Sequence, residues 1–159
     1  MAKVLVTYYS RTGNTKEMAE IVAKAAGEVE GTSVTLRRVG EVKPADLLKF
    51  DGIIMGSPVY YGTMAAEVKM LIDKSVRYHG QLEGKVGGAF ASSGGPGGGN
   101  ETTIIDILKA MLIHGMIIKG EHSGDHYGPI AVGAPDKRSA RECRKLGRSV
   151  ATLAKRLFG

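Results

Sequence analysis

The sequence contains one cysteine, no tryptophan and no long apolar run. A single thiol, Cys143, can form neither an internal disulfide nor a CxxC metal site, and no HExxH or paired-histidine spacing occurs. No apolar run approaches the ~20 residues that a membrane span requires, and the N-terminus lacks the apolar stretch and cleavage site of a signal peptide. We therefore expect a cytoplasmic protein with no metal and no membrane span.

The length and composition are those of one globular domain. With 159 residues, of which 43% are hydrophobic and 24% charged, we predict a single domain over residues 1–159. The net charge of +6 comes entirely from residues 136–159, where eight Lys and Arg residues oppose two acidic residues. No nucleic-acid motif accompanies this charge. We interpret the segment as a solvated helix face and expect no nucleic-acid partner, although it could attract anionic cofactors or partners.

Short apolar runs alternate with segments of helical periodicity along the chain. Strands are predicted over residues 3–9, 33–39, 52–57, 85–91 and 116–119. Helices are predicted from the Asn14 cap to Gly27, over 45–50, 64–72 and 104–112 (ended by Gly115), and over 140–157. This alternation predicts an α/β fold with a five-stranded parallel sheet of order 2-1-3-4-5 and helices on both faces, a three-layer sandwich.

Three connections at the carboxyl ends of the predicted strands form the candidate site, because ligands of such sheets bind beyond those ends. The first connection consists of Ser10, Arg11, Thr12, Gly13, Asn14 and Thr15. Its hydroxyls, its glycine and the helix N-terminus suit a phosphate, although an ordinary capped turn is the alternative. It is neither a Walker A motif nor the dinucleotide fingerprint, because the required lysine and further glycines are missing.

The second and third connections suit a planar ligand. The second contains Pro58, Val59, Tyr60, Tyr61 and Gly62, whose tyrosines could lie against a ring system or only cover the sheet end. The third contains Ser92, Ser93, Gly94, Gly95, Pro96, Gly97 and Gly98. Its glycines suit a backbone that approaches a ligand closely and donates amide hydrogens to it, with a mobile exposed loop as the alternative.

These motifs resemble those of known flavoproteins over essentially the whole chain. Residues 10–15 resemble the FMN-phosphate loop of flavodoxins. Residues 56–62, 97–103 and 112–118 resemble WrbA-type NAD(P)H:quinone oxidoreductases. The resemblance implies a flavodoxin-like fold, non-covalent FMN, NAD(P)H as the co-substrate and a quinone as the acceptor. It also implies a homodimer or homotetramer.

The resemblance assigns the three connections to parts of FMN. Residues 10–15 would hold the phosphate, and Val59, Tyr60 and Tyr61 would line the isoalloxazine. Residues 92–98 would border the ribityl chain and the ring edge. His114 would approach the flavin and act in catalysis, the alternative being a C-terminal partner of the helix dipole.

Further polar residues follow the fifth predicted strand. His126 and Tyr127 are expected at the carboxyl edge, where they could donate protons to a bound substrate or belong to a polar surface loop. Cys143 follows the apolar stripe of the last helix and is expected to be a buried thiol. Outside residues 136–159 the chain has no net charge, and donor amides of the third connection would stabilise a reduced, anionic flavin. This favours two-electron transfer from NAD(P)H to a quinone. A one-electron carrier and a non-catalytic flavin-binding scaffold are the alternatives.

Overall fold

The computed structural model describes residues 1–159 and forms one sheet between two layers of helices. The strands are β1 (Ala2–Tyr8), β2 (Thr32–Arg38), β3 (Gly52–Tyr60), β4 (Thr63–Met64), β5 (Val86–Ser93), β6 (Ile117–Ile118) and β7 (Ile130–Val132). The order is β2-β1-β3-β5-β6, and every pair along this path is parallel. Because β5 and β6 are the fourth and fifth predicted strands, the predicted order is confirmed.

The fifth position of the sheet is divided between two short strands. β6 pairs with Val86 and Gly87 at the start of β5, whereas β7 pairs with the last three residues of β5. Residues 119–129 leave the sheet between them. The strand predicted over 116–119 is therefore shorter than expected, and β7 was not predicted. Its three residues are too few to give a periodic signal.

The second connection is shorter than expected, because β3 continues through residues assigned to it. β3 extends to Tyr60 and turns through Tyr61 and Gly62 into β4, which pairs antiparallel with it. Both turn residues have positive φ, 48° and 79°. This is the geometry of a two-residue hairpin whose twist matches its strands.

Four helices cover the two faces of the sheet: α1 (Asn14–Gly27), α2 (Ala66–Lys74), α3 (Asn100–Ile113) and α4 (Lys137–Phe158). α1 and α4 pack on Val4, Val6, Ile54 and Phe90 to form one core layer. α2 and α3 pack on the opposite sheet face, in a layer that includes Leu5 and Ile53. The predicted three-layer sandwich is therefore present. None of the four helices has the length and apolar character needed to cross a membrane.

Three details differ from the sequence predictions for the helices. The short helix predicted over 45–50 is a 3-10 helix, Pro44–Lys49. Leu112, predicted to face the core, is 58% exposed. Asn14 does not cap α1, because the N-cap is Gly13 at φ 106°, a left-handed conformation that glycine adopts without strain. Gly115 ends α3 as predicted, at φ 77°.

Candidate functional site

The first connection wraps into a tight turn at the start of α1. Ser10 is buried, and its Oγ accepts a hydrogen bond of 3.1 Å from the Gly13 amide. The Gly13 carbonyl accepts from the Glu17 amide, so the helix begins without a side-chain cap. The amides of Asn14 and Thr15, in the first turn, donate to no protein acceptor. These amides and the positive end of the helix dipole suit an anion.

Arg38 supports the first connection from the end of β2, a contribution that the sequence reasoning missed. Its guanidinium donates to the Ser10 carbonyl at 2.5 Å and lies 5.9 Å from the centroid of the Tyr8 ring. β2 lies beside β1 in the sheet, so its last residue reaches the same carboxyl edge. The predicted strand order contained this signal, because it placed the end of the second strand beside the phosphate loop.

The second connection places an aromatic wall beside the first. The rings of Tyr9 and Tyr60 meet edge to face, with centroids 6.2 Å apart. The guanidinium of Arg11 lies 5.7 Å from the centroid of the Tyr60 ring. Partial desolvation and the nearby Glu67 carboxylate raise the pKa of Tyr9. Tyr61 is fully exposed at the hairpin tip.

The third connection is held at both ends by buried polar side chains. Ser92 Oγ lies 2.8 Å from Thr15 Oγ1, which joins the third connection to the first. Ser93 Oγ donates to the Gly95 carbonyl and accepts from Asn100 Nδ2, each at 2.8 Å. Asn100 opens α3, so its side chain links the helix start to the end of β5. The glycine run is thereby fixed at its base.

The three connections surround one cleft of about 200 Å³ at the carboxyl edge of the sheet. Ten residues line it: Arg11, Thr12, Asn14, Thr15, Pro58, Val59, Tyr60, Ser92, Ser93 and Gly94. All ten belong to the set that the sequence analysis proposed for the cofactor. No carboxylate lines the cleft, whereas one guanidinium does. The remaining residues of that set lie in the same connections outside the lining, with the exception of His114.

His114 lies at the opposite edge of the sheet from this cleft. It follows α3, and the next strand, β6, pairs with the beginning of β5 rather than with its end. Its Nε2 is 2.8 Å from Ser75 Oγ, and its Nδ1 is buried without a partner. Burial, and to a lesser extent the neighbouring His79, lower the pKa of His114. Within one chain, the structure does not bring His114 to the three connections.

His126 and Tyr127 lie in the loop between β6 and β7. His126 Nδ1 is 2.8 Å from the Glu121 carbonyl, and Tyr127 is 54% exposed. Both line a second, smaller hollow beside Glu101 of the first turn of α3, so they are at the carboxyl edge but outside the main cleft.

Cys143 is a buried residue of α4, as expected. Desolvation by burial raises the pKa of its thiol to about 12. A thiol with such a pKa stays protonated at neutral pH and is a poor nucleophile.

The parallel sheet and its three-connection cleft define a protein of the flavodoxin-like class. The family model described as "Flavodoxin domain" matches residues 5–109. The chain belongs to this family and is a flavodoxin-like flavoprotein.

Relatives with different names are similar to the chain. A protein of Aquifex aeolicus (strain VF5) named "Flavodoxin" is 42% identical, over 95% of this chain and 86% of the relative. A protein of Archaeoglobus fulgidus (strain ATCC 49558) named "NAD(P)H dehydrogenase (quinone)" is 34% identical, over 99% of this chain and 100% of the relative. Among solved structures, a flavodoxin, WrbA-like protein from Agrobacterium tumefaciens is 25% identical, with a TM-score of 0.82 over 98% of this chain and 99% of that one.

Proposed function

We propose that this protein is an FMN-dependent oxidoreductase that transfers two electrons from NAD(P)H to a quinone. The observation that carries the proposal is the charge of the cleft, which is lined by Arg11 and by no carboxylate. Negative charge beside a flavin disfavours its reduced anion, whereas positive charge and donor amides favour it. This cleft therefore suits a flavin that accepts both electrons together.

The residues of the cleft fit FMN. The open amides of Asn14 and Thr15 and the hydroxyl of Thr12 would hold the phosphate. The paired hydroxyls of Thr15 and Ser92 have two hydrogens and use one between themselves, which leaves one to donate. Val59 and Tyr60 would line the isoalloxazine. At Gly94 an added Cβ would meet nothing within 4 Å, so the backbone there is open to a ligand.

When bound, FMN supplies the chemistry of accepting a hydride from a nicotinamide and returning two electrons to an acceptor. In the net reaction, NAD(P)H, a proton and a quinone give NAD(P)⁺ and a hydroquinone. Arg11 would stabilise negative charge in the cleft from its place over Tyr60. His126 and Tyr127 are proposed to supply protons to the acceptor from the neighbouring loop.

The phosphate assignment is tested by a double substitution, Thr12→Val with Thr15→Val. Each lost hydrogen bond to a charged group contributes about 1.5–3 kcal/mol, so FMN affinity should fall by at least ten-fold. Titration of the apoprotein, followed by quenching of flavin fluorescence, measures the change. Thr35→Val on β2, away from the cleft, is the control. Unchanged FMN affinity in the double variant would remove the assignment.

The activity is tested by steady-state oxidation of NADH and NADPH with benzoquinone as the acceptor. The proposal predicts turnover that requires FMN and follows ping-pong kinetics, since both substrates would use one pocket. Absence of turnover by the FMN-loaded protein with either nicotinamide would contradict it.

A one-electron carrier is the second candidate function. It is favoured by the Aquifex relative named "Flavodoxin", which is more similar in sequence than the relative named as a quinone dehydrogenase. No carboxylate lines the cleft, which speaks against a carrier, because a carrier flavin reaches a low potential through neighbouring negative charge.

We also propose that the protein acts in the cytoplasm as a homodimer or homotetramer. Val76, in the turn after α2, and Leu112 and Ile113 of α3 are 71%, 58% and 72% accessible, and a second copy would cover them. His114 directly follows Ile113 and could meet a flavin only in a neighbouring copy. Light scattering on Ile113→Lys, with the wild-type chain as reference, should show a smaller assembly.

A further inference from the structure

The basic residues of α4 form one continuous stripe on the outside of the molecule. Lys137, Arg141, Arg144, Arg148 and Lys155 are all exposed. At 3.6 residues per turn they fall within about 60° of one another around the helix axis. The stripe runs for about 27 Å, from the rise of 1.5 Å per residue. We call these five residues the basic stripe.

Acidic side chains neutralise little of the basic stripe. Arg148 pairs with the exposed Glu28 at 2.7 Å, and Arg141 contacts the buried Glu142 at 3.0 Å. Lys137, Arg144 and Lys155 have no carboxylate within 4.0 Å. The rest of the chain has no net charge, so the positive field of the molecule is directed through this face.

An apolar side chain is exposed where the basic stripe ends. Phe158 is 43% accessible, follows the exposed Arg156 and lies about 40° from the nearest stripe residue around the helix axis. Cations beside an exposed phenylalanine are typical of protein surfaces that lie on a lipid headgroup layer. A nucleic-acid backbone offers no apolar layer for this side chain to enter.

The position of the stripe argues against a redox partner. α4 lies over the sheet face, whereas the cleft opens at the carboxyl edge between the three connections. An electron-transfer partner has to dock over the cleft. A flat surface that contacts the stripe leaves the cleft open.

We propose that the basic stripe, with Phe158, binds the surface of an anionic phospholipid bilayer. The cations contact the phosphate headgroups, and the phenylalanine side chain enters the interface. Attraction of this kind is strong for clusters of four to eight cations and weakens with salt. The proposal does not depend on what the cleft binds.

The test is sedimentation of the full chain with two kinds of vesicle at roughly 0.1 M salt. One kind contains phosphatidylglycerol and phosphatidylcholine in equal parts, and the other contains phosphatidylcholine alone. The stripe variant carries Lys137→Gln, Arg144→Gln and Lys155→Gln. The control variant carries Lys43→Gln, Lys74→Gln and Arg77→Gln, which removes three exposed, unpaired cations from elsewhere on the surface. Both variants therefore have the same net charge.

The wild-type chain should sediment with the anionic vesicles only. The stripe variant should bind them roughly 100-fold more weakly, from about five-fold per cation, while the control keeps most of its affinity. Phe158→Ser should weaken binding with the net charge unchanged, and circular dichroism should show that every variant is folded. Equal losses in the two triple variants, or no wild-type binding to anionic vesicles, would overturn the proposal. Displacement of the vesicles by a tighter-binding DNA duplex would instead assign the stripe to nucleic acid.

Discussion

Arg38 shows how a residue outside the cleft can set the shape of the cleft. Its guanidinium donates to the Ser10 carbonyl and so holds the turn that presents the open amides of α1. Sequence reasoning found the loop itself, because hydroxyls and a glycine before a helix have a local signature. It missed Arg38, because the contact joins residues 28 positions apart and depends on how β2 ends beside β1.

We predict that Arg38→Ala weakens FMN binding about five-fold, since a partly buried hydrogen bond of this kind contributes about 1 kcal/mol. Because Arg38 acts on the phosphate loop, the affinity for riboflavin should change much less. Arg37→Ala, which removes the same charge one residue away, is the matched control. Fluorescence titration of both flavins checks this, and an equal loss for FMN and riboflavin would show that Arg38 does not act through the phosphate loop.

His114 gives a pH dependence that the structure fixes in sign. Burial lowers its pKa in the folded chain below the usual 6.5, so the unfolded chain takes up the proton first as the pH falls. The contribution of neutral His114 to stability is therefore complete above about pH 7 and is lost as the pH falls from the unfolded pKa toward the folded one. His79 adds to this effect by repulsion when it is protonated.

Urea unfolding between pH 7.5 and pH 5.5 should accordingly show the wild-type stability falling with pH. His114→Gln should flatten that slope. His122→Gln, at a side chain that is 95% exposed, should leave the slope as it is. A slope of unchanged steepness in His114→Gln would mean that other groups control this pH range.

At the scale of elements, the packing of α1 against α4 depends on Gly147. A Cβ on Gly147 would lie 2.3 Å from the Val22 carbonyl oxygen and 3.0 Å from the Ala26 nitrogen, so the helices would have to separate. In a helix interior, alanine is normally more favourable than glycine. A loss of stability on Gly147→Ala would therefore come from the close approach of the two helices.

We expect Gly147→Ala to cost about 2 kcal/mol, a drop in Tm of roughly 4–8 °C for a chain of this size. Gly40→Ala, where an added Cβ meets nothing within 4 Å, should change the Tm little. Calorimetry of the two variants makes the comparison. A Gly147→Ala protein as stable as the wild type would show that the two helices can move apart at little cost.

The predicted elements were confirmed where a long periodic pattern existed and were wrong where tertiary contacts decided the outcome. α3 follows its apolar spacing, but Leu112 falls outside the buried arc near the helix end. β7 has three residues, and its pairing is determined by β5 rather than by its own sequence. Asn14 has the composition of a cap, yet the left-handed turn before α1 gives that position to Gly13.

At the scale of the whole molecule, the parallel order of the strands explains why the cleft could be predicted. Ends of adjacent parallel strands meet at one edge, so motifs at residues 10–15, 58–62 and 92–98 had to come together if the fold was right. The position of His114 did not follow from this rule. It comes after a helix rather than after a strand, and helix ends lie at the opposite edge.

The central claim is that the cleft holds a flavin that passes electrons in pairs between a nicotinamide and a quinone. The most direct measurement is an anaerobic titration of the FMN-loaded protein, followed by flavin absorbance. The account predicts that one equivalent of NADH or NADPH bleaches the flavin completely, in a single phase, and that one equivalent of benzoquinone restores the spectrum. A flavin that neither nicotinamide bleaches, but that dithionite reduces in two separate one-electron steps, would contradict the account and make the protein a carrier.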